Sequence, residues 1–228
     1  ELISNKRTKE LFSNIKFKTA TPSAKIKPMS VVNESRDTTH YSIIDSEGNA
    51  VSNTYTLGYS FGSGVTIPGT GILLNNQMNN FAYRYGDTSV SGRAASPANK
   101  FEAGKRPMST MTPTMVFNRS GELTLVTGSP GGSFIPAAVL RVVSGIIDFN
   151  LNIGEATMLP RIHKDWPYSG LDHESILSSD ISRQLGIMGH QPESQKTMGS
   201  TQSIHIKDGI NYGYADLRRP GAAVSIQR

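Results

Sequence analysis

Alternating apolar and polar residues predict two β-hairpins in this chain. The first runs through THYSIID and AVSNTYTL, which flank a short turn at Glu47, Gly48 and Asn49. Alternation with a period of two on both sides of a Gly-containing turn is typical of antiparallel strands. A second hairpin is predicted at residues 115–117 and 122–127, and further strands at 72–74, 201–206 and 211–215.

Helical periodicity is strongest over residues 134–149, FIPAAVLRVVSGIIDF. Ser133 is the expected N-cap, and Pro136 falls in the first turn, where its missing N–H is tolerated. Weaker helices are predicted over 1–19, 153–159 and 174–185, and residues 20–37 form a polar, Pro-interrupted connector. Hairpins followed by helices indicate an α+β fold with an antiparallel sheet.

Composition narrows the function classes. The 228 residues include 23 Lys+Arg and 18 Asp+Glu, a net charge of +5 that is scattered along the chain rather than clustered. Nucleic-acid binding is therefore not expected, and no apolar run is long enough to span a bilayer. The absence of Cys excludes disulfides, thiolate catalysis and Cys-ligated zinc.

Standard metal and phosphate motifs are also missing. No Gly-rich loop continues into Lys-Ser/Thr, so a P-loop is not predicted. Metal-binding spacing is absent from the five histidines, which are His40, His163, His173, His190 and His205. Neither a metal nor an organic cofactor is expected.

A set of ordered motifs carries a more specific signal. The chain contains TTHYSIID, GNAVS and TYTL, then GILLNNQM, GKRPMSTMTPT, LVTGSPGGS, EATMLPRIH and GSTQSI. In this order they resemble the small-subunit region of γ-glutamyltranspeptidases (glutathione hydrolases). The resemblance covers residues 38–228, and residues 20–28 resemble the tail of the family's large subunit. It implies two parts: 1–37, a large-subunit tail and connector, and 38–228, the catalytic small-subunit region. Glu1 would then mark a processing boundary.

The resemblance implies an N-terminal-nucleophile hydrolase, with half of a four-layer αββα sandwich. Such proteins cleave themselves, and the matching bond is Asp37–Thr38. Thr38 would become the nucleophile, and its freed α-amino group, with a pKa of ~7.7–8.0, would act as the base. Thr56 matches the residue that orients the nucleophile, and Gly131 and Gly132 match the oxyanion-hole pair.

The substrate-binding residues that the resemblance implies include two departures. Gln77 matches a ligand of the substrate α-amino group, and Ser109 and Thr110 match two serines that bind its α-carboxylate. Asn80 stands where the family has an Asp paired with the α-ammonium, and Gly58 where many bacterial members have Asn. Loss of a charge-assisted hydrogen bond removes ~1.5–3 kcal/mol, which is roughly ten- to a hundredfold in discrimination.

Three functions therefore stay open. The first is a γ-glutamyl acyltransferase and hydrolase acting on amides such as glutathione, with water or an amino acid or peptide as acceptor. The second is an acylase for amine-free acyl groups such as glutaryl-cephalosporins, favoured by Asn80. The third is a catalytically inactive fragment or precursor.

The implied partner is the large-subunit portion of the same precursor, and the implied location is periplasmic or secreted. Segment 82–104 takes the place of the family's lid, with Ser91 where some members carry Tyr. A more open pocket would favour hydrolysis over transfer.

Overall fold

The computed structural model describes residues 3–26, 38–82, 97–165, 168–195 and 197–226. It has four α-helices and nine β-strands in these residues: α1 Asn5–Ser13, β1 Thr39–Ile44, β2 Ala50–Tyr55, β3 Thr114–Phe117, β4 Leu123–Thr127, α2 Ile135–Ile147, α3 Ile153–Met158, β5 Ile162–His163, β6 Gly170–Glu174, α4 Ser179–Ile187, β7 Gln191–Gln195, β8 Gln202–Lys207 and β9 Ile210–Ala215. The fold is α+β, as predicted.

A four-stranded antiparallel sheet in the order β3-β4-β8-β9 is the centre of the fold. Both predicted hairpins and both terminal strands are confirmed, within a few residues at their ends. Helices α2 and α3 cover one face of the sheet, where Leu125, Val142 and Ile153 form a buried core. Burial of these aliphatic side chains gives this half of the molecule its hydrophobic stabilisation.

The β1–β2 hairpin lies against the opposite face of the central sheet through polar contacts. Ser42 Oγ donates to the Gln202 carbonyl at 2.8 Å, and Ser52 Oγ donates to the Thr127 carbonyl at 2.9 Å. The apolar side chains of the hairpin point the other way and are exposed; they are Tyr41, Ile43, Val51 and Tyr55. Helices α2 and α3, the central sheet and the β1–β2 hairpin thus form three layers, with an apolar outer face on the hairpin.

A third sheet corrects the prediction of a helix over 174–185. Residues 170–174 form β6, which pairs with β5 antiparallel and with β7 parallel. Helix α4 begins later because the Ser178 side chain accepts a hydrogen bond from the Ile181 amide and caps it. Glu174 ends a buried strand because its carboxylate is held by buried partners, described below.

Smaller differences concern the ends of other elements. Ser133 is not the N-cap of α2, because a 3₁₀ turn over Gly132–Phe134 precedes the helix. The predicted strand at 72–74 is reduced to one bridge between Thr66 and Leu73. Asp37, Ser91 and most of the lid-like segment lie outside the described residues.

Candidate active site

Thr38 immediately precedes β1 and is nearly inaccessible, with 8% of its surface exposed. Its hydroxyl is buried and has no hydrogen-bond partner among the described residues. Buried hydroxyls are normally paired, and an unpaired one calls for a functional explanation. The position predicted to carry the nucleophile therefore presents a hydroxyl that no other described group engages.

The predicted oxyanion pair lies in the turn between β4 and α2. Gly131 and Gly132 have φ of +138° and +59°, which favours glycine at both positions. A Cβ on Gly131 would lie 2.9 Å from the Gly199 Cα, so the backbone approach also excludes a side chain. Two backbone amides at a turn that leads into a helix are suited to bind a developing negative charge.

Thr38 and this turn border the same cavity. It has a volume of about 390 Å³ and lies between β1 and the segment 219–222. Its walls include Thr38, His40, Pro130, Ser200, Gln202 and Arg219. The candidate nucleophile and the residue before the oxyanion pair thus share one opening.

The predicted substrate-binding residues are linked by hydrogen bonds. Asn80 Nδ2 donates to Gln77 Oε1 at 2.8 Å and reaches the Met108 carbonyl at 3.5 Å, next to Ser109. Thr110 Oγ1 donates to the Gly132 carbonyl at 2.9 Å. Gln77 and Asn80 are therefore linked, through the backbone of residues 108–110, to the turn that holds Gly131 and Gly132.

Two predicted residues make local contacts. Thr56 Oγ1 accepts a hydrogen bond from the Gly58 amide at 2.9 Å, and Ser109 Oγ accepts one from the Met111 amide at 3.2 Å. No hydrogen bond joins Thr56 to the Thr38 hydroxyl in the structure, so the orienting role of Thr56 stays a prediction. Gly58 has φ of +92°, which is strained for a residue with a Cβ, and the Asn76 side chain would have to move to admit Asn at this position.

A buried cluster of four charges was not foreseen from the sequence. Arg161 Nη2 lies 2.6 Å from Asp216 Oδ2, and Arg218 forms two bonds of 2.6 Å with the Glu174 carboxylate. Arg218 Nη1 also lies 3.2 Å from Asp216 Oδ1. All four side chains are 6% exposed or less, so they stay charged because they pair with one another.

The cluster holds residues 198–201, which lie against the turn that contains Gly131 and Gly132. Glu174 accepts from the Met198 amide at 3.0 Å, and Asp216 accepts from the Thr201 amide at 2.8 Å. Between these two anchors, the Ser200 amide donates to Ser129 Oγ at 2.8 Å, and Gly199 packs against Gly131. Arg161 lies in the motif PRIH, and residues 199–201 begin the motif GSTQSI. Neither motif indicated that Glu174 and Asp216 are the partners of the arginines.

The cluster predicts a loss of stability in acid. Burial alone raises the pKa of Glu174 and of Asp216, but hydrogen bonds and the two arginines lower each pKa below its ordinary value of 4.5 or 3.8. Because the folded-state pKa values lie below the unfolded ones, the stabilisation is complete above about pH 4.5 and is lost as the pH falls through the folded-state values. We expect the urea midpoint to stay level from pH 7 to 5 and to fall steeply below pH 4. Asp216→Asn should make that fall shallower, and an unchanged slope in this variant would contradict the assignment.

Among the described residues, no group of three or more His, Asp or Glu side chains is placed to hold a metal ion. None of their helices is long and apolar enough to cross a membrane.

Comparisons with known proteins agree with the motifs. The family model for gamma-glutamyltranspeptidase matches residues 1–226. The glutathione hydrolase proenzyme of Escherichia coli K12 is 42% identical over 221 residues, which are 96% of this chain but 38% of that protein. A crystal structure of a mutant Helicobacter pylori gamma-glutamyltranspeptidase is 42% identical, with a TM-score of 0.74, and the match covers 79% of this chain and 100% of that one. Cephalosporin acylase from Bacillus halodurans is 26% identical, with a TM-score of 0.77, over 95% of this chain and 37% of that one.

Proposed function

This chain belongs to the γ-glutamyltranspeptidase family, and from that premise we propose that it is the catalytic small-subunit region of an autoprocessing γ-glutamyl acyltransferase and hydrolase. The observation that carries the proposal is the Thr38 hydroxyl, buried, unpartnered among the described residues and beside the turn that holds Gly131 and Gly132. No other described group competes for this hydroxyl, so it can be engaged by the α-amino group that the proposed cleavage releases.

The proposed maturation begins at the Asp37–Thr38 peptide bond. Thr38 Oγ attacks the Asp37 carbonyl carbon, and the bond between that carbon and the Thr38 nitrogen breaks. The Asp37 acyl group is then an ester on Thr38 Oγ, and the hydroxyl proton has moved to the nitrogen. Water then hydrolyses the ester, which leaves a carboxylate on Asp37, a hydroxyl on Thr38 and a free α-amino group. With a pKa near ~7.7–8.0, that amine takes up the hydroxyl proton at neutral pH.

The proposed turnover uses the same atoms on a γ-glutamyl amide such as glutathione. Thr38 Oγ attacks the γ-carbonyl carbon, and the amides of Gly131 and Gly132 bind the oxyanion that develops. The proton held by the α-amino group goes to the departing amine, and the acyl group stays on Thr38. Water, or the amine of an amino acid or peptide, then releases it.

A direct test measures the mass and the turnover of the full-length protein together. We expect two chains, the smaller beginning at Thr38, and release of nitroaniline from a γ-glutamyl anilide. An intact, inactive single chain would instead support the inactive alternative.

The proposed acyl pocket lies along the contacts between Gln77, Asn80 and Thr110. Because Asn80 is neutral and donates to Gln77 Oε1, it lacks the carboxylate that would pair with a substrate ammonium. The second candidate, an acylase for glutaryl groups, is favoured by this residue and by the similarity to a cephalosporin acylase.

Asn80→Asp tests the choice between these substrates. The new carboxylate should raise the ratio of kcat/KM for γ-glutamyl over glutaryl anilide about ten- to a hundredfold, because it adds a charge-assisted hydrogen bond to the ammonium. Asn79→Asp is the matched control, since it adds the same charge one residue away, and its ratio should change less than about threefold. An unchanged ratio in Asn80→Asp would remove this residue from the specificity argument.

The proposed partner is the large-subunit portion of the same precursor. The outer face of the β1–β2 hairpin carries Tyr41, Ile43, Val51 and Tyr55, which are all more than 40% exposed. A contiguous apolar face of this kind marks an interaction surface, and a further layer placed there would continue the sandwich beyond the three layers described. We also propose that the protein acts in the periplasm or outside the cell, as in the family that it resembles.

A further inference from the structure

His40 lies on the same face of β1 as Thr38 and is buried, with 5% of its surface exposed. Its Nδ1 lies 2.7 Å from Thr54 Oγ1, on the neighbouring strand β2. Its Nε2 lies 3.1 Å from Ser42 Oγ, two residues along β1. The ring is therefore fixed at both nitrogens within the inner, polar face of the hairpin.

The hydrogen bonds around the ring assign its tautomer. Ser42 Oγ donates its only hydrogen to the Gln202 carbonyl, so it accepts from a hydrogen on His40 Nε2. Nδ1 is then the bare nitrogen and accepts from the Thr54 hydroxyl. Burial lowers the pKa of His40 to about 4, which agrees with a neutral ring. The neutral imidazole thus connects β2, β1 and, through Ser42, the first residue of β8.

The face of the ring contacts the first residue of the segment that leads to the oxyanion turn. A Cβ on Gly128 would overlap the Cε1, Nδ1 and Nε2 atoms of His40. The Gly128 carbonyl also accepts a hydrogen bond from the Gln202 amide at 3.0 Å. Gly128 is thus held between the imidazole and β8, three residues before Gly131.

We propose that His40 is a positioning residue that sets the distance between the Thr38 strand and the oxyanion turn. Within the described part of the chain, β1 pairs only with β2, so its separation from residues 128–132 depends on what lies between them. The imidazole fills that space, and only glycine at position 128 leaves room for it. The inference rests on the proposed function, since it concerns the nucleophile and the oxyanion hole of that reaction.

The expected effect is on the chemical step. Oxyanion donors act only within about 2.7–3.1 Å of the developing charge, and a displacement of ~1 Å can cost ~10²-fold in rate. Gly128→Ala adds a methyl group against the ring and should lower kcat about 30- to 100-fold, with KM for the γ-glutamyl anilide changed less than about threefold. His40→Ala removes the spacer and should lower kcat by a similar factor.

A double-mutant cycle in the full-length protein distinguishes a loss of positioning from a general loss of folded structure. In the pair His40→Ala with Gly128→Ala, the new methyl group occupies part of the space left by the ring, so kcat should be at least about threefold higher than in Gly128→Ala alone. His205→Ala, on β8, is the control and should leave kcat unchanged. Thermal unfolding of each variant shows whether a loss of kcat follows a loss of fold.

The outcomes separate the two hypotheses. If the wild-type protein lacks γ-glutamyl turnover, the proposed function is wrong, whatever the variants do. The positioning role is wrong if the wild type is active but the losses of kcat in His40→Ala and Gly128→Ala multiply in the double variant. It is also wrong if the substitutions change KM alone. Loss of kcat only in variants that also unfold at assay temperature would likewise overturn it.

Discussion

Thr38→Ala in the full-length protein is expected to leave a single uncut chain and to lower turnover of a γ-glutamyl anilide by about 10⁴-fold or more, since it removes the attacking oxygen of both proposed reactions. Alanine fits the space of threonine, and the hydroxyl that it removes has no partner to lose among the described residues. The fold should therefore survive. Denaturing gel electrophoresis and intact mass report cleavage, and anilide hydrolysis reports turnover.

Two further variants make this result specific. Thr39→Ala changes the neighbouring threonine, which borders the same cavity but is exposed and is not the proposed nucleophile, and it should be cut and active at close to the wild-type rate. Thr38→Ser keeps the hydroxyl and should recover cleavage and part of the turnover. Full activity in Thr38→Ala would place the nucleophile elsewhere, as would loss of activity in Thr39→Ala alone.

The second large effect is expected at the buried charge cluster. Arg161→Met removes the partner that lies 2.6 Å from Asp216, and it leaves the Met198 carbonyl without the donor that now lies 2.7 Å away. Breaking one side of a buried ion pair costs about 3–5 kcal/mol, because the remaining charge is poorly compensated. We expect a loss of that size in the free energy of unfolding, measured by urea titration.

The same substitution at an exposed ion pair is the control. Arg183 lies 3.1 Å from Asp180, and both side chains are mostly exposed. Arg183→Met should therefore change the free energy of unfolding by less than about 1 kcal/mol. Equal losses in the two variants would mean that burial does not strengthen the inner pair. The cluster also supports the segment 198–201, so Arg161→Met should reduce self-cleavage as well.

The hairpins were predictable because each depends on local alternation around a turn. Their orientation was not, since alternation gives two faces without saying which one is covered. In β1 the polar face, with His40 and Ser42, points inward and the apolar face with Tyr41 points out. That inversion depends on carbonyl groups of Thr127 and Gln202, which are distant in the sequence.

The third sheet was missed for a similar reason. The strands GLDHE and QPESQ lack apolar alternation, and the helical spacing of the residues that follow extended the predicted helix back to Glu174. Glu174 pairs with Gln195 of β7, and its carboxylate is held by Arg218, 44 residues away. A charge partner at that separation leaves no periodic signal in the sequence.

The candidate site was named from motifs rather than from periodicity. Family resemblance pointed to Gln77, Asn80 and Thr110; in the structure Asn80 contacts Gln77, and Thr110 contacts the Gly132 carbonyl. Gly128 lies within the motif LVTGSPGGS, but the motif did not indicate its role, because its requirement for glycine comes from the ring of His40.

The Thr38 hydroxyl, which no other described residue pairs with, also affects the stability of the protein. A buried polar group without a partner makes the folded state about 1–3 kcal/mol less stable than a satisfied one would. A side chain of the same shape without the oxygen would leave no polar group unpaired at this position. The protein would then be more stable, but it would lack the proposed nucleophile. Selection for stability alone would therefore remove the nucleophile.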